Sequence, residues 1–76
     1  MDGTIVNELK AFFLNTRITV AELSRISGVP QMQISLLRRG KRRDCLSETA
    51  TKLRNGMKEL YSVWEERVAQ HGMAVK

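Results

Sequence analysis

The sequence contains only one cysteine, Cys45, and one histidine, His71. A single cysteine cannot form a disulfide within the chain, and one cysteine with one histidine does not supply the four ligands of a structural zinc site. A solitary thiol is typical of proteins from a reducing compartment. The sequence therefore predicts a cytoplasmic protein that holds neither a metal ion nor another cofactor.

Long apolar segments and paired catalytic groups are also missing. The longest apolar run, residues 11–14, is far too short for a membrane span or for the core of a signal peptide. Glu65 and Glu66 are adjacent, so their side chains diverge on a helix and cannot act as a catalytic pair. A chain of this size buries only about 60% of its unfolded surface, which leaves little room for a deep cleft. We predict one small domain that is not an enzyme, does not enter a membrane and binds no small-molecule ligand.

Positive charge is concentrated in one short segment of the chain. The formal net charge is +5, and the segment from Arg38 to Arg43 alone contributes five positive charges, so the remainder is close to neutral. A localised cluster of this kind favours a polyanionic partner over a general role in solubility. The alternative is a solvated loop that only keeps the protein soluble.

Apolar residues recur at helical spacing and predict an all-α fold, a small bundle of four or five helices. The first helix is predicted over residues 5–15, with Thr4 as its N-cap and Asn15 near its end. Its core-facing stripe consists of Ile5, Leu9, Phe12 and Phe13.

Two short helices are predicted next, joined by a tight turn. Thr19 and Glu22 have the spacing of a capping box, in which each side chain accepts a hydrogen bond from the other residue's backbone N–H. Leu23 and Ile26 are predicted to face inward. Gly28 ends this helix, since glycine adopts the left-handed conformation without steric cost. The following helix is predicted to start at Pro30, to turn Ile34 and Leu37 inward, and to end at Gly40.

The C-terminal segment, residues 47–71, carries a heptad pattern that begins at Leu46, and Ser47 is its predicted N-cap. We assign Leu46, Ala50 and Leu53 to the domain's own core. The later residues of the stripe are predicted to form a dimer interface: Met57, Leu60, Tyr61, Trp64 and Val68. Asn55-Gly56 weakens the helix, so the segment is either one long or kinked helix reaching about Gln70, or two helices. Residues 72–76 are predicted to fray.

Residues 1–46 form the predicted DNA-binding core, and two stretches within it carry a family resemblance. Residues 22–29, ELSRISGV, and residues 34–42, ISLLRRGKR, are similar to the lambda-repressor/Cro-like (Xre) family of helix-turn-helix DNA-binding proteins. The resemblance covers about residues 5–53. It implies a helical bundle, usually dimeric, whose second motif helix enters the major groove. Val20 and Pro30 depart from the pattern, because many members have a glutamine and a serine or threonine there that contact phosphate.

Helical geometry and the resemblance together assign roles to the residues of the second motif helix. Residues that point away from the core are predicted to read base edges, with Gln31 able to bind adenine and the apolar residues able to contact thymine methyl groups. These residues are Gln31, Met32, Ser35 and Leu36. The cations that follow are predicted to bind phosphate: Arg38, Arg39, Lys41, Arg42 and Arg43.

The sequence thus predicts a homodimeric, sequence-specific regulator that binds an inverted-repeat operator in double-stranded DNA, most simply a small Cro-type repressor from a phage or another mobile element. A restriction–modification controller or an antitoxin would have the same features. A hypothesis of another class is a protein-interaction adaptor that kept this fold without reading DNA. Met32 and Leu36 on an outward face, and the missing polar groups at positions 20 and 30, motivate that alternative.

Overall fold

The structure, a computed structural model, describes the backbone of residues 1–75 and the side chains of residues 1–69. It contains four helices: α1 (Thr4–Asn15), α2 (Val20–Ser27), α3 (Gln31–Arg38) and α4 (Ser47–Val75). Within residues 1–75 the only β pairing is an isolated antiparallel bridge between Asp2 and Cys45. The prediction of an all-α fold is confirmed.

Apolar side chains from all four helices form one core. α2 packs mainly on α4, whereas α1 packs on α3 and, less extensively, on α4. The core consists of Ile5, Leu9, Phe12, Ile18, Leu23, Val29, Ile34, Leu37, Cys45, Ala50, Leu53 and Met57. Since Met57 is only 8% exposed and lies in this core, its side chain leaves little surface for the dimer interface to which the sequence assigned it.

The C-terminal helix is continuous through Asn55 and Gly56, so the segment is one helix and not two. Its 29 residues correspond to about 43 Å of α-helix, close to the 45 Å longest dimension of the molecule. Every described side chain from Glu65 to Ala69 is exposed, which shows that α4 extends beyond the other helices. α4 is described as far as Val75, beyond the end near Gln70 that the sequence predicted.

Gly56 lies where α2 crosses α4. A Cβ placed there would lie 3.1 Å from Ile26 Cγ2, Leu23 Cδ1 and Ser27 Cβ, closer than ordinary van der Waals contact. The absence of a side chain therefore permits the close approach of the two helices. The sequence indicated only a weak point in helix propensity at this position.

Two predicted core residues are exposed. Ile26 is 42% exposed, although its Cγ2 would lie 3.1 Å from a Cβ at position 56, so the contact with α4 covers only part of the side chain. Leu46 is 63% exposed because it precedes α4, where the heptad does not apply, and Cys45 occupies the core instead. The carbonyl of Leu46 accepts a hydrogen bond from the Ala50 N–H at 3.0 Å, so Ser47 is the first helical residue and not the N-cap.

The starts of α1 and α3 also differ by one residue from their predictions. Thr4 is the first residue of α1, and the Asp2 carboxylate accepts hydrogen bonds from both its backbone N–H (3.1 Å) and its hydroxyl (2.8 Å). Pro30 precedes α3 with an extended ψ of 142°, and its carbonyl accepts a hydrogen bond from the Ile34 N–H at 3.2 Å. A proline has no side-chain acceptor, so this N-terminus is capped by no side chain.

Candidate nucleic-acid interface

The turn between α2 and α3 is fixed by local hydrogen bonds. The predicted capping box at the start of α2 is confirmed: the Glu22 N–H donates to Thr19 Oγ1, and the Thr19 N–H donates to the Glu22 carboxylate, each at 3.2 Å. At its end Gly28 has a φ of 77°, the left-handed conformation that the sequence predicted. The Ser24 hydroxyl then donates to the Val29 carbonyl at 2.7 Å. These contacts hold α3 at a defined position relative to α2.

One face of α3 is buried and the opposite face is open to solvent. Ile34 and Leu37 are fully buried, as the sequence predicted. Met32 is 76% exposed, whereas Ser35 and Leu36 are half-buried. The four predicted base-reading residues meet in one shallow concavity, whose lining consists of Val20, Gln31, Met32, Ser35, Leu36 and Arg39. Arg39, which the sequence placed on the outward side of α3 and assigned to phosphate, shares this surface. The sequence had not placed Val20 there, because spacing along α3 does not show how the start of α2 lies beside it.

The segment after α3 turns back on the end of the helix. The Arg39 N–H donates to the Ser35 carbonyl at 3.0 Å, and the N–H groups of Lys41 and Arg42 both donate to the Leu36 carbonyl at 3.0 and 3.1 Å. Gly40 has a φ of 76°, which only glycine adopts without strain. The backbone of the basic segment is therefore ordered against the helix that carries the candidate reading face.

The five cations of residues 38–43 are all exposed. Within the described side chains, residues 1–69, none of the five forms an ion pair with a carboxylate. Arg38 stacks on the Phe13 ring, with its guanidinium carbon 4.7 Å from the ring centroid. The contact fixes the direction of Arg38 without neutralising it. The segment thus presents uncompensated positive charge next to the exposed face of α3.

A cluster of charges that the sequence did not indicate connects the N-terminal residues to α4. The Arg54 guanidinium donates to Asp2 at 2.7 Å, to Glu8 at 2.6 Å and to the Thr4 hydroxyl at 2.9 Å. Asp2 pairs through its backbone with Cys45 at 2.7 and 3.2 Å, so the cluster also fixes the chain just after the basic segment. The residues lie 46 to 52 positions apart in sequence, and no local pattern reveals such a pairing.

Arg54 holds the pKa of the Asp2 carboxyl well below its usual range, with the Thr4 hydrogen bond adding to the effect, and it lowers the pKa of Glu8 as well. A carboxylate whose pKa is lowered by folding stabilises the folded state above its unfolded pKa, and that stability is lost as the pH falls toward the lowered value. We therefore expect Arg54→Met to destabilise the protein at neutral pH, with the difference from wild type shrinking between about pH 5 and pH 2. Urea unfolding at several pH values measures this.

Lys52→Met is the matched control, because Lys52 forms an exposed pair with Glu48 on the same helix, with 3.9 Å between Lys52 Nζ and Glu48 Oε1. Such a pair contributes little to stability. If the free energy of unfolding depended on pH in the same way for Arg54→Met and the wild type, the stabilising role of the cluster would be contradicted.

The residues predicted for a dimer interface lie at different depths. Met57 is buried, Leu60 and Trp64 are half-buried against the core, and Tyr61 and Val68 are 44% and 49% exposed. The rings of Tyr61 and Trp64 lie beside each other, 5.6 Å between centroids. Leu60 and Trp64 also line a groove between α2 and α4, together with Ile18, Ile26 and Val63. The sequence had not assigned Val63 to any apolar surface of α4.

Among the described residues, no helix combines the length and apolar character needed to cross a membrane. The same residues include no group of three or more histidine, cysteine or acidic side chains placed to hold a metal ion. No protein-family model, curated protein or solved structure matches this chain.

Proposed function

We propose that this protein is a sequence-specific regulator of transcription that binds double-stranded DNA with α2 and α3 as a helix-turn-helix. The observation that supports the proposal best is that the solvent-facing side of α3 adjoins a segment with five exposed cations, none of which forms an ion pair within the described side chains. An α-helix fits the major groove, and cations on either side of it neutralise the phosphate backbone. In this proposal Gln31, Met32, Ser35 and Leu36 face base edges.

The mechanism that follows is steric. A Cro-type repressor bound to a promoter operator prevents RNA polymerase from occupying the same DNA, and its own concentration sets the occupancy. As a dimer, the protein would place two copies of α3 about 34 Å apart and read two half-sites one helical turn apart. The operator would then be an inverted repeat.

Selection from a pool of random duplexes tests the proposal, followed by fluorescence anisotropy on selected and scrambled duplexes over a salt series. We expect recovery of an inverted repeat, and a preference for the selected sequence that persists as salt rises. Equal affinity for both duplexes at every salt concentration would contradict sequence-specific reading.

A protein-interaction adaptor is the second candidate. It is favoured by the 76% exposure of Met32 and by the lack of a side-chain cap at the start of α3, where a phosphate-contacting residue would otherwise stand. An adaptor predicts that the anisotropy titration detects only weak, sequence-independent binding that disappears at moderate salt. The same experiment therefore separates the two candidates.

The proposed dimer uses the exposed part of the α4 stripe, with Tyr61 and Val68 at its surface. Val68 is half-exposed on the part of the helix that extends beyond the core, so a substitution there should not disturb folding. We expect Val68→Glu to convert the protein to a monomer, because it would desolvate a charge in an apolar contact. Operator affinity should then fall by about tenfold or more, since the two half-sites are no longer bound together.

Ser62→Glu is the matched control, since it adds the same charge at an exposed position of α4 outside the stripe. Sedimentation equilibrium gives the mass of each variant, and circular dichroism checks its fold. A wild-type protein that sediments as a monomer, or a dimer that Val68→Glu leaves intact, would contradict this interface.

A further inference from the structure

The concavity on the exposed side of α3 is largely apolar, although a segment rich in cations follows that helix. Val20 and Leu36 are half-buried in its wall, and Met32 is 76% exposed at its rim. The polar groups that share it are Gln31, Ser35 and Arg39. Three aliphatic side chains from two different helices thus line the surface that carries the proposed reading residues.

The adjacent charges identify the occupant of this concavity. Five exposed cations border α3, and Arg39 lines the concavity itself, so a polyanion is favoured over an apolar protein surface. Along the edges of base pairs in the major groove, the one apolar group is the C5-methyl of thymine. An aliphatic pocket next to phosphate-binding cations therefore fits thymine.

We propose that this concavity recognises thymine methyl groups, so that the protein selects A·T base pairs through Val20, Met32 and Leu36 as well as through Gln31. The inference rests on the proposed function and specifies how that site discriminates. Met32 and Leu36 are one helical turn apart, about 6 Å along the axis, which spans about two base-pair steps. Gln31 in the first turn supplies the matching hydrogen bonds to adenine N6 and N7.

Deoxyuridine differs from thymidine only by the missing C5-methyl, so single replacements in the selected duplex test the proposal directly. With the wild-type protein, we expect binding to weaken by about fourfold for each thymine whose methyl group lies in the concavity, the cost of exposing one buried methyl. Thymines outside the two half-sites should tolerate the replacement. Fluorescence anisotropy at one fixed salt concentration measures each dissociation constant.

Met32→Ala and Leu36→Ala then assign the contacts. Each should bind the thymidine duplex more weakly and lose the difference between thymidine and deoxyuridine at one position of each half-site. Arg42→Ala is the control, since it should weaken binding to every duplex and keep the difference. Because the deoxyuridine series uses the wild-type protein, a folding defect in either variant would not remove the test.

Three other outcomes have defined meanings. A selected duplex that tolerates deoxyuridine at every position would overturn methyl recognition and leave the proposed function intact. Methyl dependence that persists in both alanine variants would also overturn it, because another surface would then make the contact. Failure of the selection to yield any preferred sequence would overturn the proposed function and this inference with it.

Discussion

Replacing Lys41, Arg42 and Arg43 together by alanine is expected to lower the affinity for any duplex by on the order of a hundredfold near physiological salt. Each phosphate contact contributes close to one unit to the slope of log K against log salt, so three lost contacts should make the slope shallower by about 2.7. The three side chains are exposed and form no ion pair among the described residues, so their removal should not disturb folding. Anisotropy titrations of operator and scrambled duplexes over a salt series measure both quantities.

Gln31→Ala is the informative comparison, because it removes a reading residue without changing charge. We expect about a tenfold to hundredfold loss of operator affinity, the effect of one bidentate base contact, with little change on scrambled DNA or in the salt slope. The triple variant and Gln31→Ala should thus distinguish phosphate contacts, which position the protein on DNA, from base contacts, which recognise the sequence. A triple variant that keeps the wild-type salt slope would show that the basic segment does not contact phosphate.

Gly56→Val is expected to have the largest effect on stability, a loss of about 3 kcal/mol in the free energy of unfolding. The Cβ at this position would lie 3.1 Å from atoms of Ile26, Leu23 and Ser27, and the two methyl groups of valine would need further space. Leu23 is fully buried and the Ser27 atom is a Cβ, so neither can move without shifting α2. For a domain of this size, the loss corresponds to a melting temperature lower by roughly 10–20 °C.

The neighbouring residue gives a control on the same helix. Asn55 is exposed, and Asn55→Ala should raise stability by a few tenths of a kcal/mol through helix propensity alone. Gly56→Ala should fall between the two, because a gain of about 1 kcal/mol in helix propensity opposes the steric cost. Thermal unfolding followed by circular dichroism compares the three variants. A Gly56→Val variant as stable as wild type would mean that α2 and α4 do not approach closely at this point.

Most of the local structure could be predicted from the sequence because it depends on contacts between near neighbours. The capping box of Thr19 and Glu22, the left-handed Gly28 and the buried face of α3 all follow from spacings of five residues or fewer. The predicted base-reading residues share one surface for the same reason: a single short helix carries all of them. Leu46 was misplaced because a heptad pattern indicates which residues share a face and does not show where the helix begins. The pattern also did not show that Met57 is covered by the chain's own core.

By itself the sequence determined the all-helical fold, the turn between α2 and α3 and the position of the basic segment. Each of these depends on residue type, on helical periodicity or on glycine at a positive φ, all of which are local properties. Only the tertiary structure decided that Gly56 is a helix-crossing point, that Arg54 joins Asp2 and Glu8, and that Val20 completes the apolar concavity of α3. The physical reason is that these contacts join residues far apart in the chain, whose distances are set by how the helices pack.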